Sequence, residues 1–438
     1  MDFTPHTPED VREMLAELGL EELRELFADL PEALLEPELS LPEPASEQEI
    51  LAHLRELAAK NSPADRAFLG GGPRPHFVPS LVPALAQRGE FLTAYTPYQP
   101  EVSQGVLQAV FEYQTMIAEL TGLDVSNASL YDGAAALAEG VLLALRQTRR
   151  MGVVVSQGVH PEYRQVLATY LHAVGAELRT VDLEGGLTPP AAFAGDVGAV
   201  VLQSPNFLGA IENPAPWVEA AHASGALVVY VADPLSLALL KPPGEWGADI
   251  AVGDGQPLGN PMNFGGPHFG YIAVREKLMR QLPGRLVSQT HDVDGRRGYV
   301  LALAAREQHI RRAKAKSNIT TNAQLTALMG AMHLAALGPR GLAELAAATV
   351  ARSHELAGRL TAIFGVELAT PEPFFAEFAV RLPLPAKRVR SALAARGWHA
   401  ATPVPAEYGE NLALFAATER HSEADLAGLA TALEEVLS

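Results

Sequence analysis

A chain of 438 residues has room for two or three domains, and 48% hydrophobic with 19% charged residues fits a globular protein with a large core. A net charge of −18 lacks the clustered positive charge that nucleic acid requires, and no run of about 18 apolar residues is free of charge, proline or turn signals, so neither nucleic-acid binding nor a membrane span is expected. The absence of Cys removes disulfides, thiolate nucleophiles and Cys-ligated metals; of 33 basic residues only six are Lys, at 60, 241, 277, 314, 316 and 387.

The first residues are acidic and lack the basic-then-apolar order of a signal peptide, so a cytoplasmic location is expected. Residues 1–65 read as a helical arm. Thr7 and Asp10 form a capping box ahead of Val11, Met14, Leu15 and Leu18, and Ser46 and Glu49 form a second ahead of Ile50, Leu54 and Leu57. Residues 61–102 have no regular period and are rich in Gly, Pro and Tyr, a composition that in a compact protein points to functional loops. A helix carrying Val106, Val110, Tyr113, Ile117 and Leu120 stops at Thr121-Gly122. Short apolar strands at Val153–Val155, Val200–Gln203, Leu227–Ala232, Ile250–Val252 and Phe269–Val274 then alternate with helices or turns, which predicts a mainly parallel α/β sheet over 66–335. A hairpin follows around Asp294-Gly295, then a basic run from Arg306 to Lys316 and two Ala/Leu helices over about 322–363. Residues 336–438 read as a connecting helix and a small α+β domain, with strands Phe375–Arg381 and Leu412–Ala416 and a last helix capped by Ser422 and Asp425.

This layout suits pyridoxal-phosphate enzymes of the aspartate-aminotransferase type, although a fold alone does not fix a function. Such chemistry needs a Schiff-base Lys, an acid opposite the pyridine nitrogen, a stacking ring and backbone N–H groups for the phosphate. Asp233 ends a strand and can face a pyridinium; the plainer reading is an Asp at a strand-to-turn junction before Pro234. His160 follows a strand at a helix start and can stack; the plainer reading is a helix cap beside Pro161. Tyr131-Asp132-Gly133-Ala134 opens a helix and can form the phosphate turn, but Asp132 sets a negative charge there, and an ordinary Asp N-cap explains it better. No Lys has the right place. The strand Ile250–Val252 is followed by Gly253-Asp254-Gly255-Gln256-Pro257-Leu258. Gly253-Asp254-Gly255 also begins like a dinucleotide fingerprint, but Pro257 and Pro261 forbid the helix that must follow. His291 to Asp294 on the hairpin tip reads as polar turn residues rather than a metal site. The basic run 306–316 is either a solvated helix face or a docking site for an acidic partner or a carboxylate.

Four stretches resemble the glycine cleavage P-protein family, glycine dehydrogenase (decarboxylating), in its N-terminal half or subunit 1 form: FLGGGPRPHFVPSLVP from Phe68, EFLTAYTPYQPEVSQGVLQAVFEYQTMIAELTGLDVSNASLYDGA from Glu90, NPMNFGGPHFGYIA from Asn260 and REQHIRRAKAKSNITTN from Arg306. The resemblance implies an aspartate-aminotransferase-like, fold type I large domain. It also implies that the cofactor Lys sits on subunit 2, with Pro257 near the corresponding place here, so that pyridoxal phosphate is held by the partner and not covalently by this chain. It implies that the assembled enzyme decarboxylates glycine, releases CO2 and passes the aminomethyl group to the lipoyl group of the H-protein, with subunits paired as an α2β2 heterotetramer. Within that frame Tyr95, Tyr98, Gln99 and Glu101 are expected to enter the shared active site, and Asp132, Gly133, His160 and Asp233 to line a degenerate cofactor-type pocket. Arg311, Arg312 and Lys314 are expected to contact the partner or carrier. The competing expectation is a purely structural or regulatory subunit that adds no active-site group.

Overall fold

The computed structural model describes residues 5–35, 37–61, 66–306 and 308–438, and the chain divides by contact into units 1–62 and 63–438. The expected arm boundary at residue 65 lies outside the described residues.

In the first unit, helices α1 (Pro8–Glu17) and α2 (Glu47–Ala58) start where their capping boxes put them. The Thr7 N–H donates to Asp10 at 2.7 Å and the Ser46 N–H to Glu49 at 2.8 Å, each answered by the reverse bond. Among the described residues of this unit only Leu15 is buried. The sequence of residues 1–62 carries sixteen Asp or Glu against four Lys or Arg, so this segment is too polar and too small to build a core of its own.

The second unit is organised by a seven-stranded sheet of order β1-β7-β6-β5-β4-β2-β3. The strands are β1 (Val125–Ser126), β2 (Gly152–Ser156), β3 (Glu177–Val181), β4 (Val197–Ser204), β5 (Leu227–Ala232), β6 (Ile250–Asp254) and β7 (Gly270–Val274). Strands β2 to β6 pair in parallel; β7 runs antiparallel to both β6 and β1. Parallel strands covered on both faces must be apolar throughout, which is why β4 and β5 read as continuous Val-rich runs. Successive residues serve opposite faces. Val229 and Val231 of β5 pack with Leu137 and Val141 of α4 (Gly133–Thr148), while Val228 and Tyr230 pack with Trp217 and Val218 of α6 (Ala215–Ser224). Helix α3 (Gln104–Thr121) lays Tyr113 and Ile117 against Phe269, Tyr271 and Ala273, and α5 (Pro161–Val174) completes the layer beside α4. The hairpin of β8 (Leu286–His291) and β9 (Arg297–Ala302) stands outside the sheet.

Helix α7 (Gln324–Thr361) leads to the small sheet. Gly338 at φ 62° and ψ 180°, followed by Pro339, breaks it into the two expected helices. The small sheet has order β10-β11-β13-β12, from β10 (Glu367–Leu368), β11 (Glu377–Arg381), β12 (Thr402–Pro403) and β13 (Leu412–Ala416). Leu356 and Leu360 of α7, Val389 and Leu393 of α8 (Ala386–Ala394), and Leu429 and Leu433 of α9 (Glu423–Leu437) cover it. Among the described residues no helix is long and apolar enough to cross a membrane, and no group of three acidic, His or Cys side chains can hold a metal ion.

Candidate functional site

In an open parallel sheet the crevice lies beyond the carboxyl ends of the strands. Here a cavity of about 540 Å³ opens there, lined by His160 after β2, Gln203 of β4, Asp233 after β5 and Asp254 of β6. Asp132 and Pro257 also line it, and Gly133 opens the adjoining helix α4. The predicted pocket residues are thus brought together at one site.

The chain's own groups already pair the charges of this site, with Arg74 Nε the buried atom left without a partner among the described residues. Asp132 caps α4 by accepting the Ala135 N–H at 2.7 Å, and Asp254 accepts the Gly133 N–H at 3.2 Å. These are the backbone donors that a phosphate would need at this helix end. Burial pushes the Asp254 carboxyl up, against the N–H groups of Gln256 and Gly133 and the nearby His268. Asp233 accepts the N–H groups of Leu235 and Ser236 and pairs with Arg74, whose guanidinium also pairs with Glu377. Arg74 is itself held by Gln256, which accepts its N–H at 3.1 Å and donates to its carbonyl at 2.9 Å. His160 donates from Nε2 to the Gly71 carbonyl at 2.8 Å and accepts the Glu162 N–H on Nδ1 at 3.2 Å, which fixes the neutral Nε2–H form. Tyr163 also lines the cavity. A Cβ on Gly133 would lie 2.1 Å from the Tyr163 hydroxyl, so only glycine fits there. Burial, then the carboxylates of Asp254, Asp132 and Asp233, raise the Tyr163 phenol well above its usual range.

A pyridoxal phosphate does not fit these residues. Its phosphate would meet Asp132 and Asp254, and its ring nitrogen would compete with Arg74 for Asp233. None of the six lysines lines the cavity. Lys241 lies over the Trp246 ring at 4.3 Å and Lys277 pairs with Asp249 at 3.0 Å. Arg74, Glu377, Asp254 and Tyr163 were not among the sequence candidates. Only the Gly-Gly-Gly-Pro run before Arg74 hints that this backbone enters a tight place.

The loop candidates lie elsewhere. Tyr95, Tyr98, Gln99 and Glu101 are exposed and none lines the cavity. Their loop is anchored from beneath. Gln324 donates to the Tyr95 carbonyl at 3.1 Å, Gln104 to the Pro100 carbonyl at 2.7 Å, and Arg285 to the Tyr98 hydroxyl at 2.7 Å. Arg311, Arg312 and Lys314 are exposed on a short helical segment.

The family model of the glycine cleavage system P-protein matches residues 1–432. The chain is 49% identical over 445 residues to a probable glycine dehydrogenase (decarboxylating) subunit 1 of Moorella thermoacetica, with all of both chains covered. It superimposes with a TM-score of 0.93 and 67% identity, over 100% of each chain, on a crystal structure of glycine decarboxylase (P-protein) of the glycine cleavage system in inhibitor-bound form. An aspartate aminotransferase of Thermus thermophilus, 17% identical with a TM-score of 0.58 over 85% of this chain and 98% of its own, shares the fold alone. The architecture is that of aminotransferase-like fold type I enzymes, and with the full-length match to the subunit 1 relatives it shows that the chain belongs to the glycine cleavage system P-protein family.

Proposed function

We propose that this chain is one half of a two-subunit glycine dehydrogenase (decarboxylating), and that the pyridoxal phosphate is held by subunit 2. The observation that carries the reading is the internally paired cavity: Arg74 neutralises Asp233 and Glu377, while Asp132 and Asp254 take the helix donors. A subunit whose own pocket is filled by its own charges serves catalysis by what it presents to its partner. The cofactor, bound there, supplies the electron sink for loss of CO2 from glycine. This chain's part is to cover that pocket and exclude water, which strengthens every polar contact inside it.

The exposed loop supplies the cover. Tyr95 at 73% and Tyr98 at 57% exposure are large aromatic side chains left open on a loop whose backbone is held from below. In the assembled enzyme Tyr95, Tyr98, Gln99 and Glu101 orient glycine or the lipoyl arm. The exposed Arg311, Arg312 and Lys314 contact the H-protein carrier or the partner, and two pairs of subunits form an α2β2 heterotetramer in the cytoplasm. Tyr95→Phe and Glu101→Gln in the reconstituted two-subunit enzyme are expected to lower glycine–CO2 exchange by about 10- to 100-fold with assembly intact. Exchange near the unsubstituted rate in a fully assembled complex would make the chain a purely structural subunit.

A further inference from the structure

We propose that Arg285, covered by Tyr98, is a carboxylate-binding residue of the shared active site and takes the carboxylate of the amino-acid substrate. The inference rests on the reading that the 93–101 loop faces the partner's pocket.

Arg285 is 4% exposed, yet among the described residues it forms no ion pair with a carboxylate. Its Nη2 donates to the Tyr98 hydroxyl at 2.7 Å, and its Cζ lies 4.8 Å from the centre of the Tyr98 ring. Its Nε and Nη1 have no hydrogen-bond partner. A guanidinium cannot shed its proton to escape this position. One phenol and one aromatic face compensate a buried cation only in part. A free Nε or Nη1 hydrogen, taken with the second hydrogen of Nη2, makes the side-on or end-on pair that matches the two oxygens of a carboxylate.

The group is supported by backbone hydrogen bonds, and its cover is one half-open aromatic ring. The Arg285 carbonyl accepts the Ala128 N–H at 2.9 Å, and two residues on Gln114 clamps Val287 of β8 through both backbone groups, at 2.9 and 3.0 Å. Tyr98 lies over the guanidinium with more than half of its surface open. That ring is the part of the loop in contact with the cation, so its displacement is the step that opens the guanidinium to a ligand in this proposal. When the carboxylate departs as neutral CO2, nothing anionic is left against the guanidinium and the phenol resumes its place. The contact is made in the ground state and lost during the reaction, so its removal raises KM more than it lowers kcat.

The test uses the assembled enzyme with its cofactor and two probes, glycine and methylamine, which is glycine without its carboxylate. Calorimetric titration gives the affinity of each, and glycine–CO2 exchange gives KM and kcat. Arg285→Gln is expected to weaken glycine by about a hundredfold and to leave methylamine within about twofold, with the loss in exchange falling mainly on KM. Arg285→Lys, which keeps the charge, is expected to recover part of the glycine affinity, and it carries the same comparison if Arg285→Gln does not assemble. Unchanged glycine affinity, or equal weakening of glycine and methylamine, overturns the assignment; equal weakening is the signature of a guanidinium paired with a carboxylate of the partner chain. If Tyr95→Phe or Glu101→Gln slows exchange while Arg285→Gln keeps its glycine affinity, only the assignment of Arg285 falls. If none of the three has an effect, the loop reading falls with it.

Discussion

Around the cavity, Arg74 meets two carboxylates and two further carboxylates meet the N-terminus of α4. Beneath the 93–101 loop, Arg285 meets a single phenol and keeps two donors without partners. Both guanidinium groups are buried, and both sites sit beside the glycine-rich or aromatic loops of the first hundred residues. The difference separates a site that has closed on itself from one that is complete only when something else arrives. A buried cation paired internally gains from its neighbours and no longer recruits a ligand; a buried cation left unpaired is a standing cost that an external anion relieves.

The contrast breaks most visibly if Arg74 is removed. Arg74→Met leaves Asp233 and Glu377 facing each other without a cation, and the loss of one partner from a buried charge network costs about 3–5 kcal/mol. Denaturant unfolding should therefore show a large drop in midpoint; a change under about 1 kcal/mol would mean that the cavity is wet enough to screen its carboxylates and is not closed on itself.

His333 sharpens the comparison from another side. It is buried on α7 with both ring nitrogens unpartnered, but a His can relieve that position by staying neutral, as an Arg cannot. Burial, then the neighbouring His76, pushes its pKa down to about 4 against the pull of Glu419. The sign follows directly. The unfolded chain binds the proton at about 6.5 and the folded chain only near 4, so the stability from His333 is fully present above pH 6.5 and is lost as pH falls through 4. The loss amounts to roughly 3 kcal/mol. His333→Gln should flatten the stability profile across that window, and an unchanged profile would place the acid sensitivity elsewhere.

The sheet was readable in the sequence where burial on both faces leaves a mark, as in Val200–Gln203 and Leu227–Ala232. It was not readable at β3, an edge strand whose Glu177, Arg179 and Thr180 are exposed and whose Leu178 and Val181 are only half-buried, so that no apolar run forms. The antiparallel turn of β7 was also hidden, because strand direction depends on the irregular connection from 255 to 269 rather than on the strand's residues. Asp132, His160 and Asp233 could be found because each is a polar residue just beyond an apolar strand or just before a helix, where topology gathers side chains. Arg74 could not. Its carboxylate partners lie 159 and 303 residues away, and no local pattern marks an ion pair of that span. Arg285 was hidden for a different reason: an arginine before a hairpin reads as surface, and only its burial and missing partners set it apart.

The central claim is that this chain's own cavity is closed to the cofactor and that the partner alone holds it. Titrating the cofactor-free two-subunit enzyme with pyridoxal phosphate, followed by borohydride reduction and peptide mapping, measures this directly. The account predicts one cofactor for each pair of subunits, with the label on a lysine of subunit 2. Two cofactors per pair, or a label on any of the six lysines of this chain, would contradict it.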